Sequence, residues 1–227
     1  MAPDLSHPGP TSSTPCLQAH DLSHSYGSFQ ALAPLDLTLD PGELAVLEGP
    51  NGSGKSTLLL CLSGLLRPTT GHIDVVGHDP YLDESAARRA LALVPDVPRF
   101  YLELTAWEHL RFIAQTHDAE MGFEGRAETL MRAFGLWEAR DLFPHHYSRG
   151  MSLKLGLVFA LIRPFKVLLL DEPTSALDAE SRGLLLQRVE ELRAQGVGVL
   201  MSTHDPSFKS GVADHAYRLT HGVLTPI

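Results

Sequence analysis

The chain has 227 residues, with 18 Lys and Arg against 27 Asp and Glu, and its formal charge of −9 argues against a broad basic surface for nucleic acid. Two cysteines, Cys16 and Cys61, stand far apart and point to ordinary thiols in a reducing compartment rather than a disulfide framework. No apolar stretch reaches the 18 or so residues of a membrane span, and the histidines, His145-His146 included, are scattered without metal-ligand spacing, so a soluble, cytoplasmic α/β protein is expected.

Residues 1–15 carry four prolines in a polar setting and are expected to be a flexible tail, with folding from about Cys16. From Leu17 to Leu47, short apolar runs alternate with turn signals at Tyr26-Gly27 and Asp40-Pro41-Gly42, which predicts short, partly antiparallel strands. A helix is expected after residue 54, ending near Arg67-Pro68, and then a strand at Ile73–Gly77. Thr105-Ala106-Trp107-Glu108 is a capping box opening an amphipathic helix with Trp107, Leu110 and Ile113 on one face. Further helices are predicted from Arg126 to Phe134, stopped by Gly135, and from Ser148 to Ile162, stopped before Pro164. Residues 97–163 therefore form a helical insertion. Val167–Leu170 and Val197–Met201 are short, fully apolar runs of the buried parallel type, joined by a helix from about Glu180 to Ala194. That βαβ unit predicts a parallel sheet with its chemistry at one edge.

Gly49-Pro50-Asn51-Gly52-Ser53-Gly54-Lys55-Ser56-Thr57 follows the apolar run Leu44–Leu47 and precedes another, Leu58–Leu62. Glycines there let successive backbone N–H groups turn toward one anion at the start of a helix, Lys55 reaches the outer phosphates, and Ser56 offers its hydroxyl to Mg²⁺. Val167–Leu170 ends in Asp171-Glu172, two carboxylates at the carboxyl end of a buried strand. Beside a phosphate loop, Asp171 is expected to hold Mg²⁺ with Ser56, and Glu172 to orient and polarise the attacking water.

Four further segments add to this: Tyr26-Gly27, Tyr147-Ser148-Arg149-Gly150-Met151, Asp171 through Asp178 (Asp-Glu-Pro-Thr-Ser-Ala-Leu-Asp), and Ser202-Thr203-His204-Asp205. In this order, from about Leu17 to Leu224, the chain resembles the nucleotide-binding subunit of ATP-binding cassette (ABC) transporters. The resemblance implies a P-loop NTPase core with a mainly parallel sheet, an N-terminal antiparallel β subdomain and an inserted α-helical subdomain at about 97–163, within one cassette spanning 16–227. It implies Tyr26 stacking on adenine, Lys55 and Ser56 on phosphates and Mg²⁺, Glu172 as catalytic carboxylate and His204 on the γ-phosphate. Ser148 and Gly150 would face ATP on a second copy, identical or related, with Asp178 across that interface.

Three positions depart from the family pattern. In the segment that typically reads Leu-Ser-Gly-Gly-Gln, Arg149 replaces a glycine and Met151 the glutamine, and Arg149 is expected to add a phosphate contact. Asp96 stands where the family places a glutamine that touches Mg²⁺, water and the membrane partner; a shorter, charged ligand is expected to hold Mg²⁺ by charge and reach less far. The resemblance implies an ATPase driving transport through separate integral membrane permease subunits, held at the cytoplasmic face by them, with export favoured by the Ser-Arg-Gly-Met form. A soluble regulatory or nucleic-acid-associated ATPase is the alternative. Phe100, Tyr101, Leu102, Leu104 and Trp107, rimmed by Arg99 and Glu103, are the expected groove for a permease helix.

Overall fold

The computed structural model describes residues 14–204 and 212–227. The expected tail therefore lies outside the described residues except for Thr14 and Pro15, and so does Asp205. β1 (Leu17–Tyr26) and β2 (Phe29–Leu39) form a hairpin, and after β3 (Leu44–Glu48) and α1 (Lys55–Leu62) the chain returns as β4 (Thr70–Val75) along the free side of β1. Both pairings in this small sheet are antiparallel, in the order β2-β1-β4. The strands of the hairpin are longer than expected, at 10 and 11 residues. Asp21, at a φ of 47°, shifts the register there and lets the strand bend onward instead of ending.

α1 also differs from expectation, stopping at Leu62 rather than near Arg67-Pro68. Gly64 takes the left-handed conformation (φ 77°), and the amides of Leu65 and Leu66 fold back onto the Leu60 carbonyl, so glycine ends the helix before proline is reached. α2 (Glu84–Ala90) and β5 (Leu91–Val94), neither read from sequence, follow. Three helices come next, α3 (Ala106–Thr116), α4 (Phe123–Ala133) and α5 (Arg149–Leu161). The Thr105 capping box is formed in full, with Thr105 Oγ1 accepting from the Glu108 amide and the Glu108 carboxylate from the Thr105 amide. α4 starts a turn before Arg126, directly after Gly122 in the left-handed region. β6 (Val167–Asp171), α6 (Ala179–Ala194) and β7 (Gly198–Ser202) make the expected parallel βαβ unit, and β8 (His215–Thr220) with β9 (Val223–Pro226) closes the chain as a hairpin.

The large sheet has the order β5-β6-β7-β3-β8-β9 and is parallel apart from the last pair. Its central strands are buried on both faces, which explains their unbroken apolar runs. Val46, Leu168, Leu170, Val199 and Met201 point into a core shared with α3 to α6, while Ala45, Leu47, Val167, Leu169 and Leu200 point into one shared with α1 and the small sheet. Because β3, β5, β6 and β7 run parallel, the segments that follow them all emerge at one edge. A phosphate loop joining β3 to α1 at that edge is the P-loop NTPase arrangement. The cysteines are free and buried, which pushes the Cys16 thiol up to about 11 and Cys61 to about 12, so neither is reactive.

Candidate functional site

The loop after β3 is shaped by glycines that no other residue would replace. Gly54 has a φ of 109°, and a Cβ there would lie 2.7 Å from the Ala31 carbonyl oxygen; at Gly49 it would lie 2.2 Å from that of Leu219. The loop is thus wedged between β2 and β8. α1 begins with no side-chain cap, leaving its first N–H groups open to a ligand. Ser53 is buried and its Oγ has no hydrogen-bond partner. Lys55 is 6% exposed, its Nζ donating to the carbonyls of Gly49 at 2.7 Å and Pro50 at 3.3 Å.

Asp171 ends β6 and is buried, its Oδ1 accepting from Ser202 Oγ at 2.6 Å. The Glu172 amide, in turn, donates to Ser202 Oγ at 2.9 Å and to its carbonyl at 3.0 Å. Ser202 therefore clamps both acids to the end of β7, a role that sequence reasoning missed although Ser202 directly precedes Thr203-His204 at the end of an apolar run. Glu172 sits at a φ of 46°, a strained backbone for a non-glycine residue and one that aims the side chain back over the loop. Its Oε1 lies 3.2 Å from His204 Nε2 and 3.7 Å from Lys55 Nζ, with a hydrogen bond to neither. One carboxylate oxygen thus faces two cation-forming groups and keeps its acceptor capacity.

A cavity of about 480 Å³ unites these parts, and Tyr26, Lys55, Ser56, Asp96, Asp171 and Glu172 all line it. Tyr26 is half exposed and its ring meets that of His24 edge to face at 4.6 Å, which fixes its plane. Phe29, 64% exposed, lines the same mouth and is a second aromatic that the sequence did not single out. A larger cleft of about 750 Å³ lies at the amino ends of β5, β6 and β7, between Arg89, Phe165 and Lys166, and gathers none of these residues.

The second group of expected site residues stands outside the cavity. Ser148 caps α5 by accepting from the Met151 amide at 3.2 Å, and Asp178 caps α6 by accepting from the Ser181 amide at 2.8 Å. Asp178 also takes a hydrogen bond from Lys154 at 2.8 Å, and together with the Ser181 contacts this holds its carboxyl well below the usual range. A Cβ on Gly150 would lie 2.8 Å from the Ala176 carbonyl oxygen, so within this subunit glycine is needed to seat α5 on the 173–178 segment. Arg149 and Asp96 were expected to reach a phosphate and Mg²⁺; the structure pairs them with each other, at 2.9 Å, and Ser175 Oγ donates to Asp96 Oδ1 at 2.8 Å.

Among the described residues no three His, Cys, Asp or Glu side chains form a metal cage. Ser56 and Asp171, flanking one cavity, are instead a sparse pair of oxygen donors of the kind that would suit Mg²⁺. An uncapped helix start, the orphaned Ser53 hydroxyl and a glycine cradle with no room for a Cβ fit a polyphosphate.

Comparison with known proteins agrees with that chemistry. The family model for ABC transporters matches residues 32–175. The ABC-type transporter ATP-binding protein EcsA of Bacillus subtilis is 33% identical over 83% of this chain and 76% of its own length. The SkfA peptide export ATP-binding protein SkfE of the same species is 31% identical over 92% and 87%. The sulfate/thiosulfate import ATP-binding protein CysA of Synechococcus elongatus is 35% identical over 93% and 62%. Among solved structures, an ATP-binding subunit of an ABC transporter superposes with a TM-score of 0.87 at 33% identity, covering 93% of this chain and 90% of its own. A dimeric ATP-binding cassette bound to ADP and Pi shares the fold, with a TM-score of 0.82 at 24% identity over 92% and 98%. The chain belongs to the ABC transporter family, as an ATP-binding subunit and an ATPase.

Proposed function

We propose that this subunit is the engine of a membrane transporter, in which two cassettes close on two ATP and reopen after hydrolysis, driving permease subunits. The observation that carries it is the convergence of Lys55, Ser56, Asp171, Glu172 and His204 at one sheet edge, with Tyr26 at the mouth of the same cavity. Asn51, Gly52 and Thr57 complete the loop, and Ser56 with Asp171 would hold Mg²⁺, which would supply positive charge against the charge developing on the phosphates. Glu172 then accepts the proton of the attacking water, an acceptor capacity its buried, unbonded Oε1 retains. Lys55 and His204, both near that oxygen, stabilise negative charge on either side of it.

The second cassette, identical or related, would present Ser148, Gly150 and Asp178 to the nucleotide, and the exposure of Ser148 and Asp178 supports that reading. We take 16–227 as one cassette whose helical part, about 97–163, meets the permease. No helix among the described residues is long and apolar enough to cross a membrane, so attachment at the cytoplasmic face falls to that partner. Of the expected groove, Tyr101 and Leu102 are exposed at 60% and 66%, joined by Val97 at 65%, whereas Phe100 and Trp107 pack into the helical core. Export is the direction favoured by the Ser148–Met151 form; relatives bear names of both export and import, and the permease decides between them.

The test uses the Glu172→Gln protein with ATP, captured from detergent-solubilised native membranes. It is expected to bind MgATP as the parent does, to lose steady hydrolysis by about a thousandfold, and to retain a multi-span protein in stoichiometric amount. Tyr101→Asp should abolish that capture while leaving nucleotide binding intact. Near-normal hydrolysis would remove Glu172 from catalysis, and capture of a soluble dimer alone would overturn the transport role.

A further inference from the structure

Asp96, Arg149 and Ser175 come from three separate segments: the turn after β5, the first residue of α5 and the loop after β6. Arg149 Nη2 donates to Asp96 Oδ1 at 2.9 Å and lies 3.3 Å from both Asp96 Oδ2 and Ser175 Oγ, and Ser175 Oγ donates to Asp96 Oδ1 at 2.8 Å. The Asp96 side chain also lines the cavity with Asp171 and Glu172, so three carboxylates face it against the single lysine, Lys55. For a ligand carrying two or three phosphates this is an adverse field. Like charges gathered in one cavity repel even when partly solvated. A neutral side chain at position 96 would avoid the problem, and this chain instead places a guanidinium within the same subunit against the extra carboxylate.

We propose that Arg149 is the charge partner that makes Asp96 compatible with a nucleotide in its own subunit, so that the two departures from the family pattern act as one unit. The proposal rests on the cavity being the nucleotide site. Arg149 is 62% exposed and Asp96 36%, so the pair adds little to folding. Its consequence falls on the field inside the cavity, where the Asp96 oxygens engaged by Arg149 and Ser175 have less free charge to set against the phosphates. Ser175 acts as a positioning residue, fixing the carboxylate between its two donors.

The proposal is tested by calorimetric titration of MgADP into protein shown to be monomeric by light scattering. ADP has no γ-phosphate, so a contact made only to that group from a second copy cannot contribute. Arg149→Ala is expected to weaken MgADP binding about three- to tenfold at low ionic strength, with the defect shrinking in high salt. Arg149→Ala combined with Asp96→Asn is expected to return to the parent affinity, and Asp96→Asn alone to bind at least as tightly as the parent. Unfolding midpoints of the nucleotide-free variants should match the parent, which excludes a folding defect. An unchanged affinity for Arg149→Ala, or an equal loss in the single and double variants, would overturn the pairing role. Loss of binding on Asp96→Asn alone would also overturn it, by making Asp96 a ligand in its own right. Absence of MgADP binding by the parent would instead strike the nucleotide reading itself.

Discussion

Two helix starts in this molecule carry residues of the proposed nucleotide site, and they are built on opposite principles. α1 begins after Gly54 with no side-chain cap, a buried lysine as its first residue and glycines pressed against the Ala31 and Leu219 carbonyls. α5 begins after Ser148, which caps it, with an exposed arginine as its first residue and ion pairs tying that region to neighbouring loops. The first leaves its amides unsatisfied inside a rigid cradle and is complete within one chain. The second satisfies its own end through Ser148 and, in the proposed function, meets its ligand only across a second cassette. Backbone geometry therefore shapes the start of α1, and side-chain pairing shapes that of α5.

The largest effect is expected where backbone geometry is forced. Gly54→Ala places a Cβ 2.7 Å from the Ala31 carbonyl oxygen and 3.0 Å from Leu32 Cδ2, at a φ of 109° that L residues avoid. It should destabilise the nucleotide-free protein by about 2–4 kcal/mol in urea unfolding and reduce nucleotide binding beyond detection. A midpoint equal to the parent's would show that the cradle yields, and would erase the contrast with α5. A smaller loss is expected at the second helix start. Ser148→Ala removes the cap on the Met151 amide and should cost about 1 kcal/mol, with Ser148→Asp restoring most of it. Recovery by aspartate separates capping from a specific need for the serine hydroxyl, which a defect in the assembled ATPase would still report.

The same contrast explains what was legible in the sequence. Gly49 through Thr57, Asp171-Glu172 and the Thr105 capping box are local patterns whose chemistry needs neighbours in sequence, and each was readable from residues alone. The β6-α6-β7 unit was readable because strands buried on both faces are apolar throughout. The β8–β9 hairpin, by contrast, has one short strand that is mostly exposed and another whose side chains are only half covered, so its pattern carries no strong period. Pro68 is the stronger helix breaker in the sequence, yet α1 stops earlier because the left-handed Gly64 lets the chain turn back. Asp96 and Arg149 were each visible as departures, yet their pairing spans 53 positions and only the fold brings them together. Gly150 likewise has a neighbour that only the fold reveals, since the atom that excludes a Cβ there is the Ala176 carbonyl oxygen of its own chain.

The finest test of the contrast is its dependence on pH, because pairing between side chains titrates and backbone wedging does not. Asp178 accepts from the Lys154 ammonium, foremost, and from Ser181, which together lower its folded pKa from the ordinary 3.8. A carboxyl whose folded pKa is depressed binds more protons when unfolded, so its stabilisation is fully present above the ordinary value and is lost as pH falls from there through the folded one. Lys154→Gln removes the main cause and should lower the urea midpoint modestly at neutral pH. Asp178 is exposed, so the effect should be the smallest of the three and should fade further with added salt. The gap between Lys154→Gln and the parent should then narrow on acidification below about pH 4, whereas the gap between Gly54→Ala and the parent should not change through this group. A Lys154→Gln defect that stays constant down to strongly acid pH would mean that Lys154 acts through the packing of its aliphatic stem. In that case α5 would be seated, like α1, mainly by shape.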